Sequence, residues 1–139
     1  MPHESSIKPL SLLEKIVVFW KQKNYDKKYY QIAQILAVSI YTNHHIYEEE
    51  LERAQKILHE LFCDEQIEQD LMQYIRLKLE RYREDNELWL NEQQEVRDMI
   101  LKNEELFVYL DEIFDADDHQ DQNERLFENS IKDALINGK

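Results

Sequence analysis

Apolar residues recur along this chain at spacings of three and four, and strand-type alternation is absent. Both prolines lie at or before position 9 and the only glycine is Gly138, so the interior lacks the two strongest breakers. The pattern predicts an all-α fold of about seven helices. The first is expected from about Leu10 to Gln22, with Leu13, Ile16, Val17 and Trp20 turned inward. A second starts after Asp26, a good N-cap, and runs to about Thr42. Its IAQILAVSI core is apolar nearly all round, which marks the most buried helix of the fold. Ala33 and Ala37 give a neighbour room to approach closely.

The third helix is expected over Tyr47–Phe62, with Leu51, Ala54, Leu58 and Leu61 inward. The fourth follows Asp64 as cap and aligns Ile67, Leu71, Tyr74, Ile75 and Leu79. A fifth, after Asn86, holds Leu88, Trp89, Val96 and Ile100. A sixth, after Asn103, presents Leu106, Leu110, Ile113 and Phe114. In the last, Asp121 and Glu124 have capping-box spacing. Phe127, Ile131, Ala134 and Leu135 then face in, and Gly138 is placed to end the helix. Residues 1–8 read as a flexible tail and 9–139 as a single helical domain.

Charge changes the picture next. The formal net charge of −13 disfavours nucleic acid and anionic membrane surfaces, both of which attract cations. It is also uneven. Residues 1–30 carry six lysines against three acids, and residues 104–128 carry ten acids against Arg125 alone. No stretch approaches the roughly 20 apolar residues that span a bilayer, so membrane insertion is not expected. A single cysteine, Cys63, fits a reducing compartment, and the chain reads as cytoplasmic. Cys63 ends an apolar run, LHELFC, and is expected to be an inert, partly buried thiol.

Candidate chemistry concentrates in DADDHQDQNE, residues 115–124. An EF-hand loop starting at Asp115 needs Gly at its sixth position and Glu at its twelfth, where this chain has Gln120 and Leu126. Zinc sites want Cys or His in recognisable spacing, and the chain has neither HExxH nor paired cysteines. His44, His45 and His59 read as exposed or capping residues. No glycine elbow, phosphate loop or nucleophile motif occurs, so an enzyme is not expected.

One internal pattern adds to this. Aligning Asn43 with Asp117, 74 residues apart, places Leu36 on Leu110, Ile40 on Phe114, His45 on His119, Glu50 on Glu124 and Ile57 on Ile131. Each copy is an apolar helix, a short polar turn and an acidic-started helix. The stretches QIAQILAVSIYTNHHIYEEELERAQKIL and VYLDEIFDADDHQDQNERLFENSI resemble the tellurite-resistance protein B-like (TerB-like) helical family. The resemblance covers roughly residues 26–136. It implies two pseudo-repeated helical hairpins and an acidic, metal-binding surface site. In the second copy that site comprises Asp115, Asp117, Asp118, Asp121 and Glu124. In the first copy only Asn43 and Glu50 correspond, with Asn43 where the family has aspartate. The family's following glycine is His44 in the first copy and Asp118 in the second.

Residues and resemblance together lead to the expectation of a non-catalytic acidic helical module. It would be a stress-related protein-interaction or cation-responsive domain, with no required cofactor and a divalent cation as candidate ligand. The alternative is an ion-independent protein-binding scaffold, or a self-associating helical protein. That alternative is motivated by the polarised charge and by KQKNYDKKYY, where tyrosines sit beside lysines. A protein partner is expected, with a homo-oligomer as one form.

Overall fold

In the computed structural model, residues 10–22, 25–42, 44–116 and 122–137 are described. Among them the order is α1 (Leu12–Gln22), α2 (Lys27–Tyr41), α3 (Glu48–Phe62), α4 (Glu65–Glu84) and α5 (Asn86–Lys102). A short 3₁₀ turn, Glu104–Leu106, leads into α6 (Phe107–Phe114), and α7 (Gln122–Asn137) closes the series. No strand occurs among the described residues. No described helix is long and apolar enough to cross a membrane. The expected tail, residues 1–8, and the expected terminator, Gly138, lie outside the described residues.

Local chemistry sets most boundaries. The Asp26 carboxylate accepts from the backbone N–H of Lys28, and the Asp64 carboxylate from those of Gln66 and Ile67. Each satisfies donors that the first helical turn leaves open. Asn103 caps the 3₁₀ turn by accepting from the N–H of Glu105. At α5 the cap is Asp85, which accepts from the N–H of Leu88, one residue before the expected start. At α1 the expected start at Leu10 is corrected to Leu12 by a reciprocal capping box. The Ser11 hydroxyl accepts from the N–H of Glu14 while the Glu14 carboxylate accepts from the N–H of Ser11.

α2 is the axis of the fold. Ile32 to Tyr41 are all buried, and α2 packs against α4, α6, α5 and α3. Leu71, Tyr74, Ile75 and Leu79 of α4, Trp89, Val96 and Ile100 of α5, Leu110, Ile113 and Phe114 of α6, and Ile131 of α7 complete the core, as their spacing predicts. α3 departs in part: Ala54 and Leu58 are buried, but Leu61 is exposed. Cys63 is also exposed rather than partly buried, because it ends α3 in the left-handed region with φ 51° and swings away from the core.

α1 contradicts its own periodicity. Each helical residue advances about 100° around the axis. Leu12, Leu13, Ile16, Phe19 and Trp20 therefore share one half of the helix, and Glu14, Lys15, Val18 and Lys21 the other. Most of the expected inward set is turned outward: Leu13 is 71 % exposed and Trp20 62 %, Val17 is half-buried, and Val18 is 3 % exposed. Polar contacts to α4 accompany this orientation. Lys15 Nζ lies 2.9 Å from Glu80 and Lys21 Nζ 2.8 Å from Asp70, both carboxylates of α4. The Leu10 N–H donates to Glu80 at 3.1 Å. These contacts hold the polar half of α1 against α4 and leave the apolar half outside.

Candidate functional site

Only part of the acidic site implied by the resemblance falls within the described residues. Asn43, Asp117, Asp118 and Asp121 lie outside the described residues. Asp115 is exposed at the end of α6. Glu124 and Glu50 are each 1 % exposed. Among the described residues no group of three or more His, Cys, Asp or Glu side chains is placed to hold a metal ion.

Carboxylates nevertheless crowd the end of α6. Burial and then the Glu128 side chain push the Asp111 carboxyl above its ordinary range. Partial burial and the charges of Asp111 and Glu112 push Asp115 the same way. Two cations answer this crowding. Arg53 Nη1 lies 2.8 Å from Glu112 Oε2, and Lys132 Nζ lies 3.1 Å from Glu128 Oε1.

The structure also builds two buried carboxylate centres that the sequence does not announce. Asp70 accepts from Lys21 Nζ at 2.8 Å, from Gln66 Nε2 at 2.9 Å and from the Tyr25 hydroxyl. Burial alone would raise its pKa, but these three donors outweigh burial and hold it below the usual carboxylate range. Tyr25 packs its ring against Tyr29 and Tyr30. The described part of KQKNYDKKYY thus spends Lys21 and Tyr25 on an acid of its own chain. The second centre is Glu92, which accepts from Lys78 Nζ at 2.9 Å, the Tyr82 hydroxyl at 2.7 Å and Gln34 Nε2 at 3.2 Å. It ties α2, α4 and α5 together beneath the surface. Both centres join residues far apart in sequence, and neither carries a local motif.

His59 and Cys63, four residues apart, do not form a reactive pair. The His59 Nδ1 lies 2.8 Å from Glu68 Oε1, while the Cys63 thiol donates weakly to the Glu60 carbonyl. Hydrogen bonds from Gln55 and His59 hold the Glu68 carboxyl below its ordinary range. This is the arrangement of a helix-joining contact between α3 and α4.

What stands out as a functional surface is the outer half of α1. Leu12, Leu13 and Ile16 form a continuous exposed apolar patch that extends to the exposed rings of Phe19 and Trp20. Exposed large side chains are ordinary when scattered and informative when contiguous. The charged residues of α1 itself, Glu14, Lys15 and Lys21, lie on the opposite half.

No family model, no curated protein and no solved structure matches this chain.

Proposed function

We propose that this chain is a non-catalytic helical docking module that self-associates through the outer face of α1, with a second copy of the chain as the occupant. The observation that carries the proposal is the rotation of α1. Its lysines face its own α4, and Leu12, Leu13 and Ile16 are exposed on the other half. Two such faces are chemically self-complementary, as a two-fold interface requires. With Glu14, Lys15 and Lys21 on the opposite half, two stripes meet without like charges opposed.

Light scattering during size-exclusion chromatography tests this directly. The wild type is expected to move from 17.0 kDa toward twice that mass as concentration rises. The exposed pair Leu13→Glu and Ile16→Glu should remain at 17.0 kDa with an unchanged helical spectrum. A wild type that stays monomeric up to millimolar concentration contradicts the proposal, and so does a variant that associates like it.

We further propose that hairpins α2–α3 and α6–α7 are related as the TerB-like resemblance implies. Supporting this is the burial of Glu50 and Glu124 at positions 124 − 50 = 74 residues apart, each early in its helix. A cation-responsive role for the acidic end is the second reading, favoured by the raised carboxyls of Asp111 and Asp115. Calorimetric titration with Ca²⁺, Mg²⁺, Mn²⁺ and Zn²⁺ tests it. Heat with a rise in melting temperature supports it, and the absence of both rejects it.

A further inference from the structure

We infer that the groove between α3 and α6 docks a partner protein's amphipathic helix, one whose apolar stripe is flanked by lysine or arginine. The site is separate from the outer face of α1 and does not rest on it. α3 and α6 pack against each other, and the groove between them has a volume of about 280 Å³. Its two walls are built alike. In α3, Ile57 is three residues from Glu60 and four from Leu61. In α6, Glu112 is three residues from Tyr109 and four from Val108. Those spacings put side chains on one helical face, so each wall presents two apolar groups beside one carboxylate.

The apolar part is reachable. Leu61 is 43 % exposed and Val108 50 %, on opposite walls. Leu61 continues the apolar stripe of α3, whose Leu51, Ala54 and Leu58 are packed in or against the core. The chain's own helices leave this end of the stripe uncovered. The volume falls below the range of about 300–1,000 Å³ typical of small-molecule sites and suits one or two apolar side chains of a helix laid in the groove.

The rim selects the charge of the occupant. The side chains of Glu60 and Glu112 are 66 % and 46 % exposed. Their own partners leave them capacity. Lys56 stands 4.0 Å from Glu60 with both side chains mostly in solvent, a pair worth little. Arg53 takes one oxygen of Glu112, whereas a carboxylate offers about four acceptor sites. Further negative charge lies behind the rim. Burial and then the Glu105 charge raise the Tyr109 hydroxyl, and partial burial and then Asp111 and Glu112 raise Asp115. A cation brought to this edge relieves the repulsion.

The same charges argue against a second copy as occupant. Two of these grooves face to face would set carboxylate against carboxylate. The outer face of α1 brings no lysine of α1 to the rim, because Lys15 and Lys21 are bound to α4 on the other half. A helix with lysine or arginine beside its apolar stripe meets both requirements. Its long stems cover Leu61 and Val108 while the charged heads reach Glu60 and Glu112.

Fluorescence anisotropy of a labelled peptide tests the inference on the full chain. The probe is a helical peptide of about fourteen residues, with leucine on one face and lysine on the other. Two comparators keep one feature each: a leucine–glutamate peptide of the same pattern and a lysine–serine peptide of the same charge. The leucine–lysine peptide is expected to bind saturably at micromolar concentration in about 0.15 M salt, and each comparator about tenfold or more weakly. Leu61→Ser with Val108→Ser should weaken the probe by about tenfold or more. Glu60→Gln with Glu112→Gln should weaken it and flatten its salt dependence. Leu13→Ser with Ile16→Ser, the matched change on the α1 face, should leave the affinity unchanged. All substituted sites are at least partly exposed, and each variant is checked for an unchanged helical spectrum. If one groove pair does not fold, the other decides. The inference is overturned by absent binding, by a comparator that binds as tightly, by wild-type affinity in a folded groove variant, or by an equal or larger loss in the α1 variant.

Discussion

α1 and α2 are both rich in apolar residues at helical spacing, yet the fold uses them in opposite ways. α2 is sealed on all sides, with Ala33, Ile35, Leu36, Ala37, Val38 and Ile40 fully buried. α1 keeps Leu12, Leu13 and Ile16 outside and sets its lysines against the fold. The same neighbour, α4, receives both helices and offers each a different surface. To α2 it presents Tyr74, whose ring meets that of Tyr30 edge-on at 4.9 Å. To α1 it presents Asp70 and Glu80. A helix's periodicity tells which residues share a face, but the partner decides which face is covered.

The largest expected effect lies on the sealed side of this comparison. Leu36→Ala removes a fully buried side chain from α2 and should cost about 2–5 kcal/mol in a denaturant melt. An unchanged melt would remove α2 from the centre of the fold. Next comes the anchor of α1. Asp70→Ala strips the acceptor from Lys21, Tyr25 and Gln66 and should cost about 1–3 kcal/mol. Amide exchange in α1 should quicken more than exchange in α2. Equal acceleration in both helices would mean that Asp70 supports the whole fold rather than α1.

Acid should act on the same joint. The folded pKa values of Asp70 and Glu80 are lowered from ordinary values of 3.8 and 4.5. In both, burial opposes the shift and donors outweigh it; for Glu80 these are the Lys15 ammonium and the Leu10 N–H. Groups lowered in this way contribute stability that is fully present above their unfolded pKa and is lost as pH falls through the folded value. α1 is therefore expected to loosen below about pH 4, ahead of α2. The raised carboxyls of Asp111 and Asp115 carry the opposite sign, so protonating them relieves repulsion at the α6 end. Comparing wild type with Asp70→Asn over this range isolates the joint, because the variant should lose part of the pH dependence of α1 exchange. The smallest stability effect is on the outer face. Leu13→Glu, in solution dilute enough to keep the chain monomeric, should change the melt by no more than about 0.5 kcal/mol, because the site is exposed.

The parts of the fold legible in the sequence are those with local causes. Asp26, Asp64 and Asn103 were readable as caps because a cap bonds to backbone only two or three residues away. The burial of α2 was readable because its apolar residues leave no polar face to expose. The orientation of α1 was not, since Lys21 finds Asp70 49 residues later and Lys15 finds Glu80 80 − 15 = 65 residues later. Glu50 and Glu124 were site candidates only through the TerB-like resemblance, and their burial, set by tertiary packing, carries no local signal.

Thiol labelling at position 13 tests the central claim most directly. In a chain carrying Cys63→Ser to remove the exposed native thiol, Leu13→Cys places a probe on the outer face of α1. If that face is outward and is covered by a second copy, labelling will be fast in dilute solution and will slow as protein concentration rises. Slow labelling at every concentration would contradict the outward rotation of α1, and fast labelling at every concentration would contradict its role as the self-docking surface.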